Sequence, residues 1–302
     1  MPGLVPLLSP ASARSSGVRP PPGWTPISPW PDSGFSRPLL KLPLRPVAGL
    51  ATLRSVMPHF KTAYVFKPRA RTVLPVRQEN ADNKELLFPV NTIYCVGQNY
   101  AAHAREMGAD PKRCSPIFFH KPTDSLLPAC DSRGAPRRVN LSYPPQTNEL
   151  HHEIELVAAL KDGGRNIPRA EVKGCIFGYG VGLDMTRRDL QAGARKEGMP
   201  WDMAKGFDDA APCSALNPVS RCGHPDRGAI RLAVNGEPRQ KADLSDLIWS
   251  PSEVIFFLSR LVTLCPGDLI FTGTPGGVGP VYRGDGLEGR IDGVGEITAV
   301  IV

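Results

Sequence analysis

His151-His152-Glu153-Ile154-Glu155-Leu156, running on through Val157-Ala158-Ala159-Leu160, is the stretch on which the reading of this chain turns. Ile154–Leu160 reads as a strand. Side chains alternate faces along a strand, so Glu153 and Glu155 point one way while Ile154 and Leu156 point the other. Two carboxylates side by side on one face repel each other. A hard divalent cation with oxygen ligands is the economical compensation. The alternative is an exposed strand with two solvated acids.

Outward from it, Cys175–Leu183 is a second strand. Its alternating glycines (Gly178, Gly180, Gly182) flatten one face for close approach. Asp184 ends it, either as the N-cap of a charged helix over Thr186–Glu197 or as a third carboxylate ligand. Asn235-Gly236 after Ile230–Val234 marks a hairpin with a type I′ turn. Ser250-Pro251-Ser252-Glu253 opens a helix to about Leu264, with Ser250 as N-cap, Pro251 in the first turn and Glu253 completing a capping box. Asp268–Thr272 is a strand, and the residues toward Val302 alternate. Upstream, Thr62–Phe66 and Thr92–Val96 are expected strands. Asn99–Met107 is a short helix capped by Asn99 and stopped at Gly108. Residues 122–149 read as loop. Strands dominate and helices are few, which defines one α+β domain over 57–302.

The 302 residues carry a net charge of +7, and the excess is concentrated at one end. Within residues 1–56, Arg14, Arg19, Arg37, Lys41, Arg45 and Arg54 face a single acid, Asp32. The remainder is close to balanced, so nucleic-acid binding is not implied. Proline runs such as Pro20-Pro21-Pro22 oppose helix and central strand, so 1–56 reads as a disordered basic extension. It is either a transit peptide or sequence upstream of a start at Met57. No run of ~18 apolar residues exists to span a membrane. The seven cysteines form no C-x-x-C pair, which suggests free thiols in a reducing compartment and a cytoplasmic or mitochondrial location.

His103 and Glu106 lie at i and i+3, on one face of the expected helix. A carboxylate beside an imidazole orients it and raises its basicity, as a general base toward water requires. An exposed surface pair is the plainer alternative. Lys121 and Lys205 stand among apolar residues, either as point charges for a substrate anion or as surface lysines lying along apolar neighbours. Thr272-Gly273-Thr274-Pro275-Gly276-Gly277-Val278-Gly279 follows a strand and offers N–H groups and hydroxyls to an anion, without the Gly-Lys-Ser/Thr of a P-loop.

The ordered set is more specific than its parts. Asn99–Met107, Lys121-Pro122, His151–Glu155, Gly182–Asp189, Lys205-Gly206-Phe207-Asp208 and Thr272–Pro275 together resemble the fumarylacetoacetate hydrolase family, most of all its acylpyruvate and fumarylpyruvate hydrolases, over about residues 85–302. The resemblance implies a mixed β-sheet roll, usually a homodimer. It implies a divalent ion (Mg2+ or Mn2+, with Ca2+ as a further candidate) held by Glu153, Glu155 and Asp184, and a His103–Glu106 pair on a lid helix. Lys121, Gln191 and Thr274 would line a small 2-oxo acid substrate, and Lys205 would stabilise an oxyanion. The implied activity is hydrolysis of the carbon–carbon bond of a 2,4-dioxo acid to pyruvate and a carboxylic acid. Oxaloacetate decarboxylation and isomerisation of unsaturated 2-oxo diacids are the alternatives. Gln98 departs from the family's common Arg, which bears on which substrate carboxylate is held.

Overall fold

Both faces of the strand Ile154–Leu160 are covered, and every residue in it is buried. It lies in the middle of an eight-stranded sheet, between Leu269–Phe271 and Ile176–Leu183. The computed structural model describes residues 64–77, 85–108 and 115–302, all within one compact unit, His59–Val302. The expectation for residues 1–56 lies outside the described residues.

The large sheet runs Ile117–Lys121, Ile93–Gly97, Leu269–Phe271, Ile154–Leu160, Ile176–Leu183, Ala211–Cys213, Leu126–Pro128, with Asn217–Pro218 also on Ile176–Leu183. It is mixed: Leu269–Phe271 pairs parallel with Ile93–Gly97 and antiparallel with Ile154–Leu160. A five-stranded sheet packs against it, in the order Glu237–Asp243, Ala229–Val234, Gly286–Ile291, Gly295–Ile301, Val139–Leu141. Leu150–His152 sits between Thr186–Arg187 and Gly279–Val281 in a small third sheet.

Strand alternation sorts the core. Ile154, Leu156, Ala158 and Leu160 share one cluster with Val181, Leu183, Leu232, Leu287 and Ile297. Val157 and Ala159 belong to a second, with Ile93, Cys95, Leu269 and Phe271. Each large aliphatic side chain so buried contributes about 1.5–3 kcal/mol. Glu153 and Glu155 share a parity with Val157 and Ala159, so the face that carries the acids is as buried as its opposite.

The glycines of Ile176–Leu183 permit this packing. A Cβ on Gly182 would fall 2.6 Å from Val157 Cγ2 and also strike the Phe271 ring. Gly182→Ala is therefore expected to cost about 1–3 kcal/mol by overpacking, read as a lowered urea midpoint; an unchanged midpoint would contradict the contact.

The Asn235-Gly236 turn has both residues at positive φ, 54° and 80°, as a type I′ hairpin requires. The helix Pro251–Leu261 has the full Ser250–Glu253 capping box and ends three residues earlier than expected, Val262 being extended. Elsewhere the structure corrects the reading. Tyr64–Phe66 forms no strand and is exposed; Thr62 and Ala63 lie outside the described residues. Residues 122–149 contain short strands, Leu126–Pro128 and Val139–Leu141, each paired parallel with a distant segment. The charged helix begins at Arg188, because Thr186–Arg187 pairs with Leu150–His151 first.

Candidate active site

The three acids converge. Glu153, Glu155 and Asp184 are all buried, and each offers an oxygen within 4.8 Å of the others. Backbone pairing explains why. Glu155 stands opposite Gly182, and Asp184 N–H donates to Glu153 O at 2.8 Å, so two neighbouring strands deliver three carboxylates to one end of the sheet. This removes two alternatives. The acids are not a solvated face, and Asp184 is not a helix cap.

Cations partly compensate them. Lys205 Nζ donates to Glu153 Oε2 at 2.9 Å, Asp184 Oδ2 at 2.8 Å and Thr186 Oγ1 at 2.7 Å. Those are all three of its N–H bonds. Lys121 Nζ lies 2.8 Å from Asp184 Oδ1 and donates to the Met185 and Lys205 carbonyls. Both lysines are buried, so neither is a surface lysine. Arg188 donates to Glu153 Oε1, to Gln191 Oε1 and, at 3.3 Å, to His151 Nδ1.

Burial acts first on each acid, then charge decides. For Glu153, burial would raise the carboxyl pKa, but Lys205 and Arg188 together outweigh it and hold the group well below its usual range. For Glu155, burial and the neighbouring Asp184 and Glu153 all push upward, and the Gly273 N–H at 2.7 Å only partly offsets them. Asp184 Oδ1 has the Lys121 ammonium beside it at 2.8 Å, at ion-pair distance without hydrogen-bond alignment. A buried Glu155 carboxyl with which no described lysine or arginine pairs, flanked by two further acids, fits a bound cation. The all-oxygen donor set suits a hard divalent ion.

His103 stands over the acids on the helix Ala101–Glu106, 4% exposed. Its Nδ1 lies 3.5 Å from Glu106 Oε2, ion-pair distance without hydrogen-bond alignment. Glu106 Oε1 accepts from Gly277 N–H at 2.7 Å and so fastens the helix to the glycine-rich loop. That loop also supplies Thr274, whose hydroxyl donates to Ile154 O at 2.8 Å. Asn99 is not the N-cap. Tyr100 is, without a side-chain cap. The Asn99 amide instead bridges Thr272 O at 2.7 Å and both backbone groups of Trp249 at 2.8 Å, tying the helix entrance to two other segments.

One cleft joins these groups. His103, Glu153, Glu155, Gln191, Lys205 and Thr274 line it, together with Gln98, Phe119, Arg188, Arg195 and Trp201. Glu106, Lys121 and Asp184 stand behind the wall. Arg188, Arg195 and Trp201 were not singled out from the sequence. Their one signal is spacing: Arg188, Gln191 and Arg195 at i, i+3 and i+7 fall on one helix face.

A mixed-sheet fold that gathers buried acids beneath a sheltered imidazole defines a class of acid–base enzyme with a site able to hold a metal. Residues 92–302 match the fumarylacetoacetate (FAA) hydrolase C-terminal domain model, and the chain belongs to that family. Among solved structures it is similar to the fumarylpyruvate hydrolase of Pseudomonas aeruginosa, seen in complex with Mn2+ and pyruvate. The identity is 48% over 80% of this chain and 99% of that one, with a TM-score of 0.74. Among sequences it is similar to the mitochondrial oxaloacetate tautomerase FAHD1 of Arabidopsis thaliana, 42% identical over 68% of this chain and 88% of that one. The oxaloacetate tautomerase YcgM of Escherichia coli is 39% identical over 71% of this chain and 94% of that one. Among the described residues no helix is long and apolar enough to cross a membrane.

Proposed function

We propose that this enzyme hydrolyses the C3–C4 bond of a 2,4-dioxo acid, giving pyruvate and a carboxylic acid. The observation that carries this reading is the near-complete overlap with the Pseudomonas fumarylpyruvate hydrolase at 48% identity.

A divalent ion held by Glu153, Glu155 and Asp184 would supply Lewis acidity toward the substrate's oxygens. Mg2+ and Mn2+ are the candidates, with Ca2+ a third. The rest is the work of the chain. His103 takes a proton from water, and the hydroxide adds to C4. Gln191 and Thr274 hold the substrate at the cavity wall. Lys205 faces the developing oxyanion, and its three present bonds mean that donation there requires exchanging one of them. Lys121 orients the Asp184 carboxylate from behind. The C3–C4 bond then breaks, pyruvate leaves as its enolate, and the proton held on His103 returns to C3. Neutral His103 is the competent form, and burial favours it by lowering the imidazole pKa.

The tautomerase relatives favour a second reading, proton transfer at C3 of oxaloacetate by the same imidazole. The homodimer belongs to this proposal too. A substrate panel separates the reactions. Purified protein with Mg2+ or Mn2+ is expected to consume the enol absorbance of acylpyruvates with one pyruvate formed per turnover, and EDTA is expected to stop it. Accelerated enol–keto exchange of oxaloacetate with acylpyruvates untouched would replace the hydrolase by the tautomerase. Release of CO2 from oxaloacetate would make it a decarboxylase.

A further inference from the structure

We propose that Arg195 is a specificity-determining residue that binds a second, distal carboxylate, so that the enzyme is built for long 2-oxo diacids. This deepens the hydrolase reading and rests on it for the identity of the reaction.

Three cations line the cleft: Arg188, Lys205 and Arg195. Two are already committed. Lys205 bridges Glu153 and Asp184, and Arg188 pairs with Glu153. Arg195 pairs with no described carboxylate; its Nη1 donates to the Met107 carbonyl. A guanidinium has five N–H donors in a fork that suits a carboxylate, so one bond to a carbonyl leaves most of it available. Its place fits as well. Arg195, with Met107 and Gln191, also lines an adjoining surface depression that Ala192 and Lys196 complete. A chain running from the acid cluster toward that depression would meet the guanidinium.

Length decides which diacids reach it. Seven residues of helix separate Arg188 from Arg195, a rise of roughly 10 Å. An extended chain advances about 1.2 Å per bond. The carboxyl carbons of a seven-carbon diacid are then roughly 7 Å apart, within reach of a flexible arginine side chain. Those of a four-carbon diacid are roughly 3.5 Å apart, so its second carboxylate stays near Arg188 and Gln191. Between the two ends the wall is aromatic. Phe119 and Trp201 meet at 5.8 Å between ring centroids, and Trp201 closes over Gly97, where a Cβ would lie 3.2 Å from its ring. That surface suits the flat, conjugated middle of an unsaturated acyl chain.

The test separates binding from catalysis. Mn2+-loaded full-length protein is titrated calorimetrically with 2-oxoheptanedioate and with 2-oxoheptanoate. The two have equal length, only the first has a distal carboxylate, and neither has the 4-oxo group that hydrolysis needs. The wild type is expected to prefer the diacid by roughly 10- to 100-fold, the range of a charge-assisted hydrogen-bonded pair. Arg195→Gln is expected to abolish the preference while leaving the monoacid within about 3-fold, and Arg195→Lys to keep part of it. Equal binding of both acids by the wild type would overturn the proposal. So would a loss in Arg195→Gln shared equally by both ligands, the mark of a residue that only ties the two helices through Met107. In a parallel assay, Arg195→Gln should lose turnover on fumarylpyruvate but keep it on acetylpyruvate. Failure of the wild type to cleave either would remove the hydrolase reading and leave the binding result to judge Arg195.

Discussion

Asp184→Asn will end metal-dependent turnover and weaken Mn2+ binding by more than about 100-fold. Partners one step removed from a metal ligand already account for 10- to 100-fold in affinity, so loss of a ligand oxygen's charge must exceed that. Asn keeps the shape but sets its NH2 against one of two ammonium groups, so its urea midpoint is measured alongside the Mn2+ affinity. Asp184→Ala strands the Lys121 and Lys205 ammonium groups, both buried against that carboxylate at 2.8 Å. Breaking a buried pair from one side costs about 3–5 kcal/mol, so Asp184→Ala is expected to lower the urea midpoint sharply. Glu155→Gln should show the opposite split. No described lysine or arginine pairs with Glu155, and burial together with Asp184 and Glu153 disfavours its charge. Without metal, Glu155→Gln should be no less stable than wild type; with Mn2+ it should lose most of the stabilisation that the ion confers. Calorimetric titration and urea unfolding with and without Mn2+ read both. Wild-type affinity in Asp184→Asn would remove the metal site, and with it the hydrolase mechanism.

Legibility followed the range of the interaction. The Ser250–Glu253 capping box and the Asn235-Gly236 turn are satisfied by neighbours within a few residues, and both formed as read. Ile154–Leu160 was legible because alternation and apolar content agree. The convergence of Glu153, Glu155 and Asp184 was legible only through the ordered motifs, since Asp184 alone is indistinguishable from a helix cap. Long-range pairings left no local mark. Asn99 has the chemistry of an N-cap, yet contacts with Trp249 and Thr272, 150 and 173 residues away, take its amide. The strands within 122–149 exist only because Cys213 and Ile301 offer edges to Pro128 and Leu141. Arg188 had no role of its own in the charged helix or the Gly182–Asp189 motif; only the fold turns it onto Glu153. Lys205 was read as a donor to substrate, and the structure shows the same ammonium joining two acids.

Removing the imidazole is the second large effect. His103→Ala should lower kcat by about 10²- to 10⁴-fold, the usual contribution of a positioned base, while Mn2+ affinity stays near wild type. The pH profile adds a sign that a purely structural role would not give. Burial is the largest influence on His103 and lowers its pKa; Glu153 opposes, and Arg188 and Lys205 push it down further. A general base works deprotonated, so kcat/KM should fall as pH drops through a value below 6.5, and be flat above it until another group titrates. Glu106 is among the influences that raise this pKa. Glu106→Gln should therefore move the acidic limb to still lower pH while lowering kcat less than His103→Ala does, because the amide retains an oxygen for the Gly277 N–H. An acidic limb at or above 6.5 would mean that the carboxylates outweigh burial at His103. Loss of activity as pH rises through the imidazole pKa, with no acidic limb, would instead mean that His103 works protonated, as an acid toward the leaving carbon, and that the water needs another base.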